Sequence, residues 1–187
     1  MTVTKTAPEL KPGKYSVHEE SLLKAVTPSN KPAYARNRLD ELSGEYHQIH
    51  ASNVNTPSPE GTRAIRAVEE RLAALVSISP HAAVHMVESS NPLSRHRFET
   101  PFAFDYENST SQITYPGTTL SHVAAANHPE FQVFILRDRY DGTNLISAFK
   151  RELLSLQNSA GLTVREIAKA RLSEFLRLAN KEDFRIG

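Results

Sequence analysis

Apolar positions early in the chain recur at helical spacing. Ala35, Leu39, Leu42, Tyr46 and Ile49 follow one another at steps of four, three, four and three, which lines one face of a 3.6-residue helix. Pro32 suits the first turn of that helix. A second stripe, Ile65, Val68, Leu72, Leu75 and Val76, follows Ser58 and Pro59, a pairing that marks a helix start. Ahead of both, Ser16 and Glu19 have the spacing of a capping box, which predicts a short helix through VHEESLLKAV that Pro28 ends. Residues 1–15 carry Pro8 and Pro12 with little apolar content and read as an extended arm, and ASNVNTPSP at 51–59 reads as a linker over 51–58.

In the middle of the chain the period changes. In FETPFAFDYE, Phe98, Phe102, Phe104 and Tyr106 alternate with Glu99, Asp105 and Glu107, the pattern of a half-buried edge strand. NSTS then turns the chain into QITY, which predicts a hairpin over about 98–115. FQVFIL is apolar on both faces and predicts a covered strand. AAVHMVE predicts a further strand over 81–88, with a helical turn started by Ser79 and Pro80 as the other reading. Residues 116–130 read as a long loop.

Helical signals return at the C-terminus. LISAFKRELLSL, the turn QNSAG, and a capping box of Thr163 and Glu166 predict an αα-hairpin. The expected fold is therefore α+β: N-terminal helices, a central antiparallel sheet of three or four strands, and a C-terminal αα-hairpin packed on it. Residues 16–187 read as one domain.

LTVREIA, at 162–168, resembles the opening of a bacterial helix-turn-helix. The resemblance stops at the turn, because KARLSEFLRLAN offers no glycine, proline, Asn or Asp before Asn180. The stretch predicts one uninterrupted helix over about 163–180. Glu152 and Arg171 fall on the apolar faces of the two C-terminal helices, so they are expected to pair across the hairpin. Arg165, Lys169 and Arg177 form a basic stripe on the opposite face, where they are candidates for phosphate contact.

Composition narrows the chemistry. The 22 basic and 21 acidic residues leave a net charge of +1, so attraction to nucleic acid or an anionic membrane needs a local patch. The absence of cysteine removes disulfides, thiolate metal sites and a thiol nucleophile. The N-terminus has no apolar signal core and no run is long enough to span a bilayer, so a cytoplasmic protein without membrane partners is expected. His81 and His85, and His47 and His50, lack a third ligand at a recognised spacing, so no metal and no cofactor are expected.

Three functional readings result. The first is a non-enzymatic interaction or assembly protein that binds itself or another protein, with Ala35, Leu39, Leu42, Tyr46, Ile49 and the loop 116–130 as contact surfaces. The second is a small ribonuclease-like enzyme using His96, Arg97 and Glu99 at the strand entry, with Arg95, His122 and His128 as further members. There an imidazole and a carboxylate would exchange protons while arginine stabilises phosphorane charge. The third is a nucleic-acid-binding regulator acting through Arg165, Lys169 and Arg177.

Overall fold

The computed structural model describes residues 14–89, 107–108, 113–114, 118–137, 145–158 and 161–183. These residues form eight α-helices: α1 Lys14–Lys24, α2 Lys31–Asn55, α3 Pro59–Ile78, α4 Pro80–Glu88, α5 Leu120–Asn127, α6 Pro129–Leu136, α7 Leu145–Ser155 and α8 Val164–Asp183. A 3₁₀ turn, Pro28–Asn30, joins α1 to α2.

The fold is helical, and the α+β expectation is overturned. β pairing among the described residues amounts to two antiparallel pairs, Glu107 with Thr114 and Asn108 with Ile113, and one isolated bridge between Gln157 and Thr163. Among the described residues no sheet extends beyond this two-residue pairing. The rest of the hairpin expected over 98–115 lies outside the described residues.

The two other segments read as strands are helices, for identifiable reasons. AAVHMVE belongs to α4, whose N-cap Ser79 accepts from the Ala82 amide at 3.2 Å, with Pro80 in the first turn. FQVFIL belongs to α6, which starts at Pro129 after the N-cap His128. The apolar residues on both faces do not make it a covered strand, since Val133 on the outer side of the helix is exposed. Phe131, Gln132 and Ile135 of α6 are buried, and so are all residues of α5 from Leu120 to Ala125. Most of the segment read as the loop 116–130 is that second buried helix.

α3 is the hub, touching α1, α2, α4 and α5, while α8 packs on α5, α6 and α7. One continuous core links the two ends of the chain, from Ala35 and Leu39 on α2 through Leu72, Leu75 and Val76 on α3 to Val164 and Ala168 on α8. Each fully buried leucine in it contributes about 2 kcal/mol of burial.

Boundaries shift at the N-terminal end. α1 begins at Lys14, before the expected cap Ser16, and the carboxylate of Glu19 is held by Arg38 of α2. The segment read as a linker is helical as far as Asn55, which leaves Thr56, Pro57 and Ser58 to make the corner into α3. Ser58 Oγ accepts from the Gly61 amide at 2.9 Å, and Asn53 Oδ1 accepts from the Ser58 amide at 3.0 Å. A Cβ on Gly61 would lie 2.2 Å from that same Asn53 oxygen, so the corner is built around the missing side chain.

Candidate interaction surface

α8 is launched from a tightly specified turn. Gly161 sits at φ 73°, the left-handed region that favours glycine. Asn158 Oδ1 accepts from the Leu162 amide at 3.1 Å. The capping box then closes in both directions: Thr163 N donates to Glu166 Oε2 at 2.9 Å, and Glu166 N donates to Thr163 Oγ1 at 3.1 Å.

A second polar anchor lies under this turn. Thr119 N donates to His122 Nδ1 at 3.1 Å, while His122 Nε2 lies 3.2 Å from the Leu162 carbonyl. An imidazole that accepts at Nδ1 carries its proton on Nε2, so it is neutral and donates to Leu162. Burial holds its pKa below the ordinary histidine value, opposed in part by the hydrogen bonds to the Leu162 and Leu156 carbonyls. His128 is used in the same way, with Nε2 donating to the Val76 carbonyl at the end of α3, and burial again lowers its pKa. The sequence makes both histidines candidates for a catalytic set. Here they connect backbone segments, and His122 takes the position that glutamate or glutamine fills in an ordinary capping box.

The first half of α8 is inside the molecule: Val164, Ile167 and Ala168 are buried. The second half is outside. From residue 169 on no described side chain is buried, and Phe175, Leu176 and Leu178 are 48%, 51% and 49% exposed. Half-buried Leu172 and Ala179 continue the same strip. The other large exposed apolar residues, Val17, Val54 and Val133, stand singly on three other helices. Single exposed apolar residues are ordinary, whereas a clustered run marks a contact surface.

The expected sites map unevenly onto the fold. Ala35, Leu39, Leu42 and Tyr46 are buried in this chain's own core and Ile49 packs against it, so the α2 seam is not a surface for a partner. The helical period of the seam holds in α2, but a period does not say whether the facing helix belongs to the same chain. Glu152 is exposed, and Arg171 lies 3.8 Å from Glu174, one turn along its own helix. The burial of Phe149, Leu153 and Leu154 turns Glu152 outward. Arg165, Lys169 and Arg177 are all exposed, with Arg165 and Lys169 one turn apart and Arg177 rotated about 80° from Lys169. Arg95, His96, Arg97 and Glu99 lie outside the described residues.

The remaining polar features offer no assembled chemistry. His81 and His85 stand on successive turns of α4, and His85 Nε2 is 3.2 Å from both oxygens of Asp40. Among the described residues no three His, Asp or Glu side chains could share a metal ion. His50 stacks on Tyr46 with ring centroids 5.4 Å apart. An open cleft of about 570 Å³ at the α2–α3 corner is lined by Gln48, Ser52, Asn53 and Asn55, among other uncharged residues. It brings together no acid, base or nucleophile pair. Among the described residues no helix is long and apolar enough to cross a membrane.

No protein-family model, curated protein or solved structure matches the chain.

Proposed function

We propose that the protein is an interaction or assembly module whose docking element is the outer half of α8. One observation carries this reading: Phe175, Leu176 and Leu178, within four consecutive positions, are each about half exposed. The helix that bears them is fixed at its other end by a capping box, a glycine turn and three buried apolar side chains. A rigid helix that presents an apolar strip suits helix-in-groove or helix-on-helix recognition, because little conformational entropy is lost on binding. The basic stripe of Arg165, Lys169 and Arg177 lies beside and behind the strip, and its role is to tune the approach of a partner.

The test is site-specific photo-cross-linking in the cell, with the probe at position 175 and a control at the exposed Arg66. Covalent adducts to protein from position 175, beyond those from position 66, are the expected result. Equal labelling at both positions contradicts the reading. Adducts to RNA or DNA in place of protein favour the regulator reading.

A further inference from the structure

We propose that His122 is an acid-sensitive latch: it ties the start of α5 to the turn that launches α8, and its protonation opens that junction while α2 and α3 stay folded. The inference concerns how α8 is held and is independent of what α8 docks. The ring is 1% exposed, and each of its nitrogens is committed to main chain from a different part of the sequence. Nδ1 accepts from the Thr119 amide at 3.1 Å, and Nε2 donates to the Leu162 carbonyl, 3.2 Å away. The Leu162 carbonyl also accepts from the Asn158 amide at 3.1 Å, and the Val164 amide donates to the Leu156 carbonyl at 3.1 Å. The ring therefore shares an acceptor with the backbone pairing that joins the end of α7 to the start of α8.

A second proton has no place in this arrangement. It must go to Nδ1, where the Thr119 amide already points its hydrogen. The Thr119 hydroxyl, 2.9 Å from Nδ1, can turn to accept from the imidazolium, but the amide of this buried residue then loses its acceptor. Nor does a carboxylate offset the buried charge. Burial and the carbonyls of Leu162 and Leu156 are what act on the ring, and Glu69 on α3, His85 on α4 and Arg165 on α8 contribute nothing. Glu130 of α6 acts on His128 instead, and Glu166 of α8 is held by the Thr163 amide. The way out for the charge is through the turn, which lies at the surface with Gln157 exposed and Gly161 half-buried. Lifting the turn hydrates the imidazolium. Because α8 packs on α5, α6 and α7, α2 and α3 keep their mutual contacts when it loosens.

Native-state hydrogen exchange of the full-length chain in low urea tests the latch. It is read at the amides of Thr119, Asn158 and Val164, against those of Leu72 and Leu75 on α3. The junction amides are expected to exchange faster than the α3 amides and with little dependence on urea, as a local opening that exposes little surface does. An opened His122 takes up a proton at the ordinary value of about 6.5, whereas the closed one refuses it. Protection at the junction is therefore complete above that value and is expected to fall about 20-fold from pH 7 to pH 5. His122→Gln places there a residue usual in a capping box and is expected to abolish the fall, while His128→Gln leaves it in place. A fall that persists in His122→Gln overturns the proposal. So do junction amides that exchange only together with the α3 amides and at the same urea slope. That wild-type urea dependence decides the matter by itself if His122→Gln does not fold.

Discussion

Arg38 grips Glu19 with two parallel hydrogen bonds, Nη2 to Oε1 at 2.8 Å and Nε to Oε2 at 3.2 Å. Glu19 is 1% exposed, so its carboxylate has exchanged water for this one guanidinium. Arg38 also reaches Glu41 at 3.0 Å. The fork fastens α1 to α2, and the hydrogen bond with Glu19 raises the already high pKa of Arg38. Removing the arginine leaves the carboxylate buried and unpaired, the costly way to break such a pair. Arg38→Met is expected to cost roughly 3–5 kcal/mol in urea unfolding. Adding Glu19→Gln to Arg38→Met should recover a large part of that loss. A cost below about 1 kcal/mol for Arg38→Met would show that the pair behaves as a surface contact.

His122 and His128 make the fold acid-sensitive. Both are favoured as neutral in the folded chain, with pKa values below the ordinary one. Their contribution is complete above about pH 6.5, where the unfolded chain is neutral at these positions too. As pH falls below that value the unfolded state takes up protons that the folded state refuses. Stability is therefore lost with a slope approaching about 1.4 kcal/mol per pH unit for each histidine. Urea midpoints measured between pH 7 and 5 should fall, and His128→Gln should flatten the fall by about half. An acid limb of unchanged slope in His128→Gln and in His122→Asn would contradict this assignment.

How much of this was legible in the sequence depended on contrast between helix faces. α2 and α3 have one apolar and one polar face, and their buried residues were readable from spacing alone. α5 is covered on most sides, and α6 carries apolar residues on its outer side too, with Val133 exposed, so neither segment shows the contrast that marks a helix, and they look like a loop and a strand. A signal was present nonetheless. Ser58-Pro59, Ser79-Pro80 and His128-Pro129 all place proline just after a helix cap. The outer half of α8 was read as helix, while its exposure could not be read, since that depends on where neighbouring helices end. Glu152 and Arg171 show the same limit, because helical phase placed them on the apolar side and packing turned Glu152 to solvent.

At the α2–α3 corner, Gly61 and Asn53 compete for one volume. Gly61→Ala puts a methyl group 2.2 Å from Asn53 Oδ1, so the amide must swing away from the Ser58 N–H it satisfies. The expected cost is about 1–2 kcal/mol. In Asn53→Ala the clash is gone, and Gly61→Ala should add less than about 0.5 kcal/mol. Full additivity of the two substitutions in a thermal-melt cycle would contradict this coupling.

The central claim is that the apolar strip on α8 serves a partner and contributes little to the fold. It is tested most directly by the equilibrium unfolding of Phe175→Ser/Leu176→Ser/Leu178→Ser, compared with wild type at concentrations where both are monomeric. The expected difference is about 1–2 kcal/mol, because side chains already half in water have only part of their burial to lose. A loss of more than about 3 kcal/mol would mean that the strip is held against its own chain, and would contradict its role as a docking surface.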